Sequence, residues 1–178
     1  MTRQDARPAA VLELKCHEFV AADNRRLYVY GDLRGRPDPT RVGSEPVALH
    51  KRFDLLTATW IAVSPSRNVR PHSRVAVETD GERAICPLCP GGPELPFSYD
   101  AAVFDNRFPA LVSDSPPVPD DRRVGPAQGH CEVVLYTEQH ERSLATLTPM
   151  ELARVVAVWR DRSGYLWADP RNCFVMAF

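Results

Sequence analysis

The sequence predicts an α+β fold, and three observations predict it. Short β-branched and aromatic runs recur at residues 11–20, Arg26–Tyr30, 58–63, 101–104 and 131–137. Runs of this composition fit half-buried strands. One long amphipathic helix follows them, starting at Thr148-Pro149-Met150-Glu151, and a last strand-like run occupies residues 172–178. Strands segregated from a single long helix indicate α+β rather than repeated βαβ units.

Each element has a local reason. Residues 11–20 and Arg26–Tyr30 flank Asp23-Asn24. Asx residues tolerate left-handed turn geometry, so the pair reads as a hairpin. Residues 32–46 hold three prolines and two glycines and read as a loop. The run 58–63 stops at Ser64-Pro65, since proline cannot continue a ladder. A basic loop follows with Arg67, Arg70 and Arg74, then a short strand at 75–77. Residues 101–104 enter the turn Asp105-Asn106-Arg107-Phe108-Pro109, and 113–128 is a proline-rich loop. Residues 131–137 form a core strand. In the helix, Thr148 is the N-cap, Pro149 the first helical residue and Glu151 the closing residue of a capping box. Leu152, Val155, Val156 and Trp159 recur at helical spacing and mark its buried face. Asp169-Pro170 ends it near Ala168. Residues 1–10 read as disordered, leaving residues 11–178 as one domain.

At 178 residues the chain can bury a sizeable core, and a net charge of −1 gives no support for nucleic-acid or anionic-membrane binding. No apolar run reaches the roughly 18 residues of a membrane helix. The amino terminus lacks an apolar signal core, and the five cysteines are an odd number, so a disulfide framework is not expected. The expected location is cytoplasmic.

Cys86 and Cys89 are two thiols three positions apart in a turn, which can grip one zinc from the same side. A redox pair is the rival, but Pro90-Gly91-Gly92-Pro93 opposes the helix such a pair usually opens. His140, after the core strand, is a candidate third ligand, and His130 competes with it. Arg67 and Arg70 sit three apart on a loop and can fork onto phosphate oxygens; a solvated basic loop is the alternative. Phe104 and Asn106 could cover a base and bond a ribose or uracil edge. A core phenylalanine before a turn explains them equally well. No phosphate-binding glycine loop, nucleophile elbow or HExxH motif is present, so no catalytic residue is assigned.

The order of these pieces carries a resemblance. Phe53-Asp54, Thr57, Trp60-Ile61, Val63-Ser64-Pro65, Arg67 and Arg70-Pro71 precede Cys86 and Cys89. Phe104, Asn106 and Phe108-Pro109-Ala110-Leu111 follow, and residues 133–137 lead to His140. From about residue 52 to 178 the chain resembles the amino-terminal half of the galactose-1-phosphate uridylyltransferases, a branch of the histidine-triad superfamily. The resemblance implies an antiparallel sheet with flanking helices, assembled as an oligomer. It implies that Cys86, Cys89 and His140 are three of four zinc ligands. It also implies that Arg67 and Arg70 contact substrate phosphates, and that Leu88, Phe104 and Asn106 lie around uracil and ribose. Arg107 stands where relatives commonly carry an acidic residue, and no ribose contact is assigned to it. In the family, a His-Pro-His histidine takes UMP from UDP-glucose and passes it to galactose-1-phosphate. That motif occurs nowhere in the 178 residues. The expectation is therefore a chain inactive without a complementary carboxy-terminal chain, whether it is a subunit of a split enzyme or a fragment; a related nucleotidyltransferase or phosphorylase acting on an adenine nucleotide, and a non-catalytic zinc-stabilised binding module, are the alternatives.

Overall fold

The computed structural model describes residues 14–20, 24–32, 49–65, 67 and 86–178. The expectations for residues 1–10, for a strand at 75–77 and for Arg70 lie outside these residues, as does most of the loop 32–46.

Two antiparallel sheets and one long helix form the described part. The first hairpin pairs β1 (Cys16–Val20) with β2 (Arg26–Tyr30), Cys16 opposite Tyr30 and Val20 opposite Arg26. Asn24 sits at φ 60, the left-handed geometry expected of an Asx turn. The second hairpin joins β3 (His50–Asp54) to β4 (Thr59–Val63). Its turn is held by Asp54, whose carboxylate accepts from the Leu56 amide at 3.0 Å and the Thr57 hydroxyl at 2.7 Å. Ala58, expected to begin the strand, instead closes this turn at φ 52. The remaining strands are β5 (Ala101–Asp105), β6 (Val124–Pro126) and β7 (Glu132–Leu135), followed by helix α1 (Pro149–Trp167).

The strands sort into a four-stranded sheet, β1-β2-β5-β7, and a three-stranded sheet, β4-β3-β6. The α+β class and antiparallel pairing are thus as expected, with a second sheet added. β6 lies within the stretch read as a proline-rich loop; its three residues pair with β3 and were too few to give a periodic signal.

Alternation along β2 and β5 divides the core between the two faces of the larger sheet. One face gathers Leu27, Val29, Ala102 and Phe104 with Leu95, Phe97 and Tyr99. The other gathers Tyr28, Tyr30, Ala101 and Val103 with Val158 of α1. Helix α1 begins as expected: Glu151 N–H donates to the Thr148 hydroxyl at 3.3 Å, and Thr148 N–H donates to the Glu151 carboxylate at 2.7 Å. It ends at the C-cap Ala168.

Two expectations need correction. Of the expected face of α1, Val155 is buried and Trp159 half-buried, whereas Leu152 and Val156 are exposed, and Ala157, Val158 and Arg162 complete the buried side. The buried arginine could not be recognised as a core residue from its type. Residues 172–178 form no strand. Among the described residues no strand pairs with them, and Phe174, Met176 and Phe178 are exposed.

Candidate metal centre

The Cys86–Cys89 turn is built by its own backbone. Cys89 N–H donates to the Cys86 carbonyl at 3.1 Å, and Gly92 N–H donates to the Cys89 carbonyl at 2.9 Å. A side chain at position 92 would place its first carbon 2.5 Å from the Cys86 carbonyl oxygen. Glycine is therefore needed there, and Gly91, at φ 83, supplies the left-handed step before it. The pair of glycines folds the chain back so that both thiols leave one tight turn.

His140 reaches this turn from the connection between β7 and α1. Its Nδ1 lies 3.3 Å from the Cys89 Sγ, and the ligand atoms of Cys86, Cys89 and His140 all fall within 4.8 Å of one another. Both cysteines carry free thiols. The Cys89 thiol is pushed up by burial and by the adjacent Cys86. Three such ligands could hold a metal ion and leave one tetrahedral position to be filled from elsewhere. His130, the competing candidate, is held in a different cluster with Asp105 and Glu132.

Tyr99 connects the two halves of this group, and sequence reasoning missed it. Its buried hydroxyl lies 3.0 Å from the Leu88 carbonyl and 3.2 Å from the Thr137 carbonyl, both within hydrogen-bonding reach. Its N–H donates to the Glu138 carboxylate at 3.1 Å. One residue thereby ties the cysteine turn to the segment that delivers His140. Burial raises the Tyr99 pKa, so the phenol remains a donor at neutral pH. A lone tyrosine before a strand gives no sequence signal for such a bridge.

The other expected site residues are placed separately. Leu88 is exposed at the tip of the cysteine turn, at 37%. Phe104 is 4% exposed and packs in the core cluster with Tyr99, which places it behind the turn. Asn106 follows β5, and its side-chain oxygen accepts from the Phe108 amide at 2.9 Å. Arg67 is exposed, with its N–H donating to the Ser64 carbonyl at 3.1 Å. The departure at Arg107 has a partner: its guanidinium lies 3.4 Å from the buried Glu94, whose other oxygen receives Arg25 at 2.9 Å. Arg107 therefore helps neutralise a buried carboxylate.

An antiparallel α+β domain bearing a Cys-Cys-His group is a candidate metalloprotein domain. Comparison with known proteins narrows this. Residues 39–177 match the family model described as galactose-1-phosphate uridyl transferase, N-terminal domain. Galactose-1-phosphate uridylyltransferase of Thermotoga maritima is 37% identical over 117 residues, covering 63% of this chain and 34% of that protein. The Streptomyces lividans galactose-1-phosphate uridylyltransferase is 40% identical over 84 residues, covering 46% of this chain and 20% of that protein. A solved uridylyltransferase structure aligns at 28% identity with a TM-score of 0.49, covering 65% of this chain and 34% of that one. The chain belongs to the galactose-1-phosphate uridylyltransferase family and carries its amino-terminal domain. It spans about a third of the length of the Thermotoga relative.

Proposed function

We propose that this chain supplies the metal-bearing and nucleotide-facing part of a UDP-glucose:hexose-1-phosphate uridylyltransferase, which exchanges UMP between UDP-glucose and galactose-1-phosphate. The convergence of Cys86, Cys89 and His140 within a matched family domain carries the reading. Two thiolates and an imidazole are a donor set suited to zinc, and the bound ion would stabilise the turn that presents Leu88. Arg67 and Arg70 would grip the diphosphate, and Leu88, Phe104 and Asn106 would border uracil and ribose. Phe104 acts from behind, as a support for the turn. All five cysteines are free thiols, which supports a reducing, cytoplasmic setting.

Uridylyl transfer in this family uses a histidine of a His-Pro-His motif, which splits one displacement into two easier ones. That motif is absent from the 178 residues. The nucleophile and fourth metal ligand would come from the remaining part of the fold, carried on this polypeptide or on a complementary chain, in an oligomeric assembly. The test is to mix the purified chain with a complementary segment bearing the motif, then follow UMP exchange between UDP-glucose and galactose-1-phosphate. Exchange by the mixture and by neither part alone is expected. Exchange by this chain alone, abolished by mutating one of its own histidines, would overturn the assignment. Preference for ADP-sugars over UDP-sugars would move it to an adenine nucleotide.

A further inference from the structure

The helix-facing side of the larger sheet holds a second group of chemically capable side chains, away from Phe104 and the cysteine turn. Asp105 ends β5, His130 lies just before β7, and Ser113 lies in the loop after β5. Ser113 Oγ is 3.2 Å from His130 Nδ1, and His130 Nε2 is 2.8 Å from Asp105 Oδ1. The other Asp105 oxygen accepts the Arg26 amide at 2.7 Å. The His130 and Asp105 side chains are only 15% and 19% exposed. Ser113 and His130 line a cavity of about 360 Å³, bordered also by Arg26, Gln128, Tyr165 and Arg171. That volume is at the small end of ligand sites.

Two arrangements of charge compete at His130. A cation at Nε2 would take Asp105 and Glu132 as its other ligands, and those atoms are close enough. Glu132, however, is already held by Arg162 through two bonds of 3.1 and 2.7 Å, and its Oε1 stands 3.6 Å from Nε2. Arg162 neutralises that carboxylate, so a cation would add uncompensated charge to a half-buried site. In the other arrangement the Ser113 hydroxyl donates to Nδ1 and Nε2–H donates to Asp105. Every group is then satisfied without an added ion. Hydroxyl, imidazole and carboxylate in that order form a nucleophilic relay, which is recognised by geometry and roles rather than by sequence position.

We propose that Ser113, His130 and Asp105 form a hydrolytic relay that cleaves small carboxylic esters in this cavity. Ser113 Oγ bonds to the acyl carbon while its proton passes to His130 Nδ1. The bond to the alcohol oxygen breaks, and that oxygen leaves with the proton from Nδ1. Water then attacks the acyl-serine, giving its proton to Nδ1, and Ser113 departs from the acid by taking that proton back. The net change is ester plus water to acid plus alcohol. Asp105 is a positioning residue that holds the ring in the tautomer with Nδ1 free to accept. Arg171 borders the cavity with its guanidinium held by Asp169 and its Nη1 3.4 Å from the Ser113 carbonyl, so its positive charge stands beside Ser113 where the oxyanion would develop. This activity is independent of uridylyl transfer.

The test uses the full chain with a fluorophosphonate probe and with p-nitrophenyl acetate. A covalent adduct on Ser113 is expected, with none in Ser113→Ala. Asp105→Asn should slow labelling by about 10²-fold or more, as expected for a lost base tautomer, and reshape its pH profile. Metal bound at Cys86 and Cys89 should be unchanged in both variants. Circular dichroism and thermal melting confirm folding, and Ser113→Ala is a small enough change to keep it. Equal labelling of Ser113→Ala, or no adduct on the folded wild-type chain, would overturn the proposal. So would a second equivalent of bound zinc that His130→Gln removes, because that result places a cation where the relay needs a proton.

Discussion

Replacing Glu132 with Gln should be among the most damaging single changes in this chain. The Glu132 and Arg162 side chains are 5% and 6% exposed, and the carboxylate takes both arms of the guanidinium at 3.1 and 2.7 Å. Arg162 lies over the Tyr28 ring at 3.7 Å and the Tyr165 ring at 4.3 Å. Removing one partner of a buried ion pair costs about 3–5 kcal/mol, because the other charge is left without a counter-ion. The two rings remain to solvate the cation, an attraction of about 2 kcal/mol when desolvated. The loss should therefore fall near the lower end, at about 3 kcal/mol. That is a large part of the roughly 5–15 kcal/mol by which a domain is stable. Equilibrium urea unfolding, followed by tryptophan fluorescence, should show a midpoint lowered by roughly 1–2 M for an ordinary denaturant slope. The paired replacement Glu132→Leu with Arg162→Met should recover most of the loss, because it leaves no charge behind. If Glu132→Gln and the pair are equally destabilised, the damage comes from lost packing and the ion-pair reasoning is wrong.

Chelation of the metal should lower the melting temperature and leave the cysteine turn open to thiol reagents, because ligand bonds there contribute folding free energy. Unchanged melting and metal content after chelation would show that Cys86, Cys89 and His140 hold nothing. Tyr99→Phe should cost about 1 kcal/mol of stability and weaken zinc affinity by roughly 10–100-fold, since it unlinks the cysteine turn from the His140 segment. A competitive zinc titration with unaltered affinity would remove Tyr99 from the site. The bonds from Arg142 and Thr148 lower the Glu151 pKa from 4.5 to about 2. Stability from this carboxylate is thus fully present above pH 4.5 and is lost as pH falls toward 2. Glu151→Gln should flatten that part of the stability–pH curve, and an unchanged slope would place the acid sensitivity elsewhere.

Local chemistry was legible in the sequence wherever a few neighbouring residues decide the structure. Thr148 with Glu151, Asn24 in its turn, and the Cys86–Cys89 turn with its glycines are all cases in which the cause lies within six residues. What could not be read depends on partners distant in the chain. Residues 172–178 have strand composition, but a strand exists only where another backbone pairs with it, and none is described there. Arg162 is 132 or more residues from the aromatics at 28 and 30, so its burial could not be seen beside the more obvious Leu152 and Val156. The same limit explains His130 and His140. Both were possible ligands by position, and only the fold separates them. Alternation along β5 places Phe104 on the face that carries the cysteine turn and Asp105 on the face that carries α1. Because consecutive side chains of a strand point to opposite faces, one short segment, Phe104-Asp105-Asn106, serves both sides of the sheet. A one-residue shift in the pairing of β5 would exchange them. It would carry Asp105 into the apolar cluster and Phe104 toward His130 and Glu132. The register of β5, with Phe104 opposite Leu27 and Val133, therefore keeps the metal-side chemistry and the buried polar cluster apart.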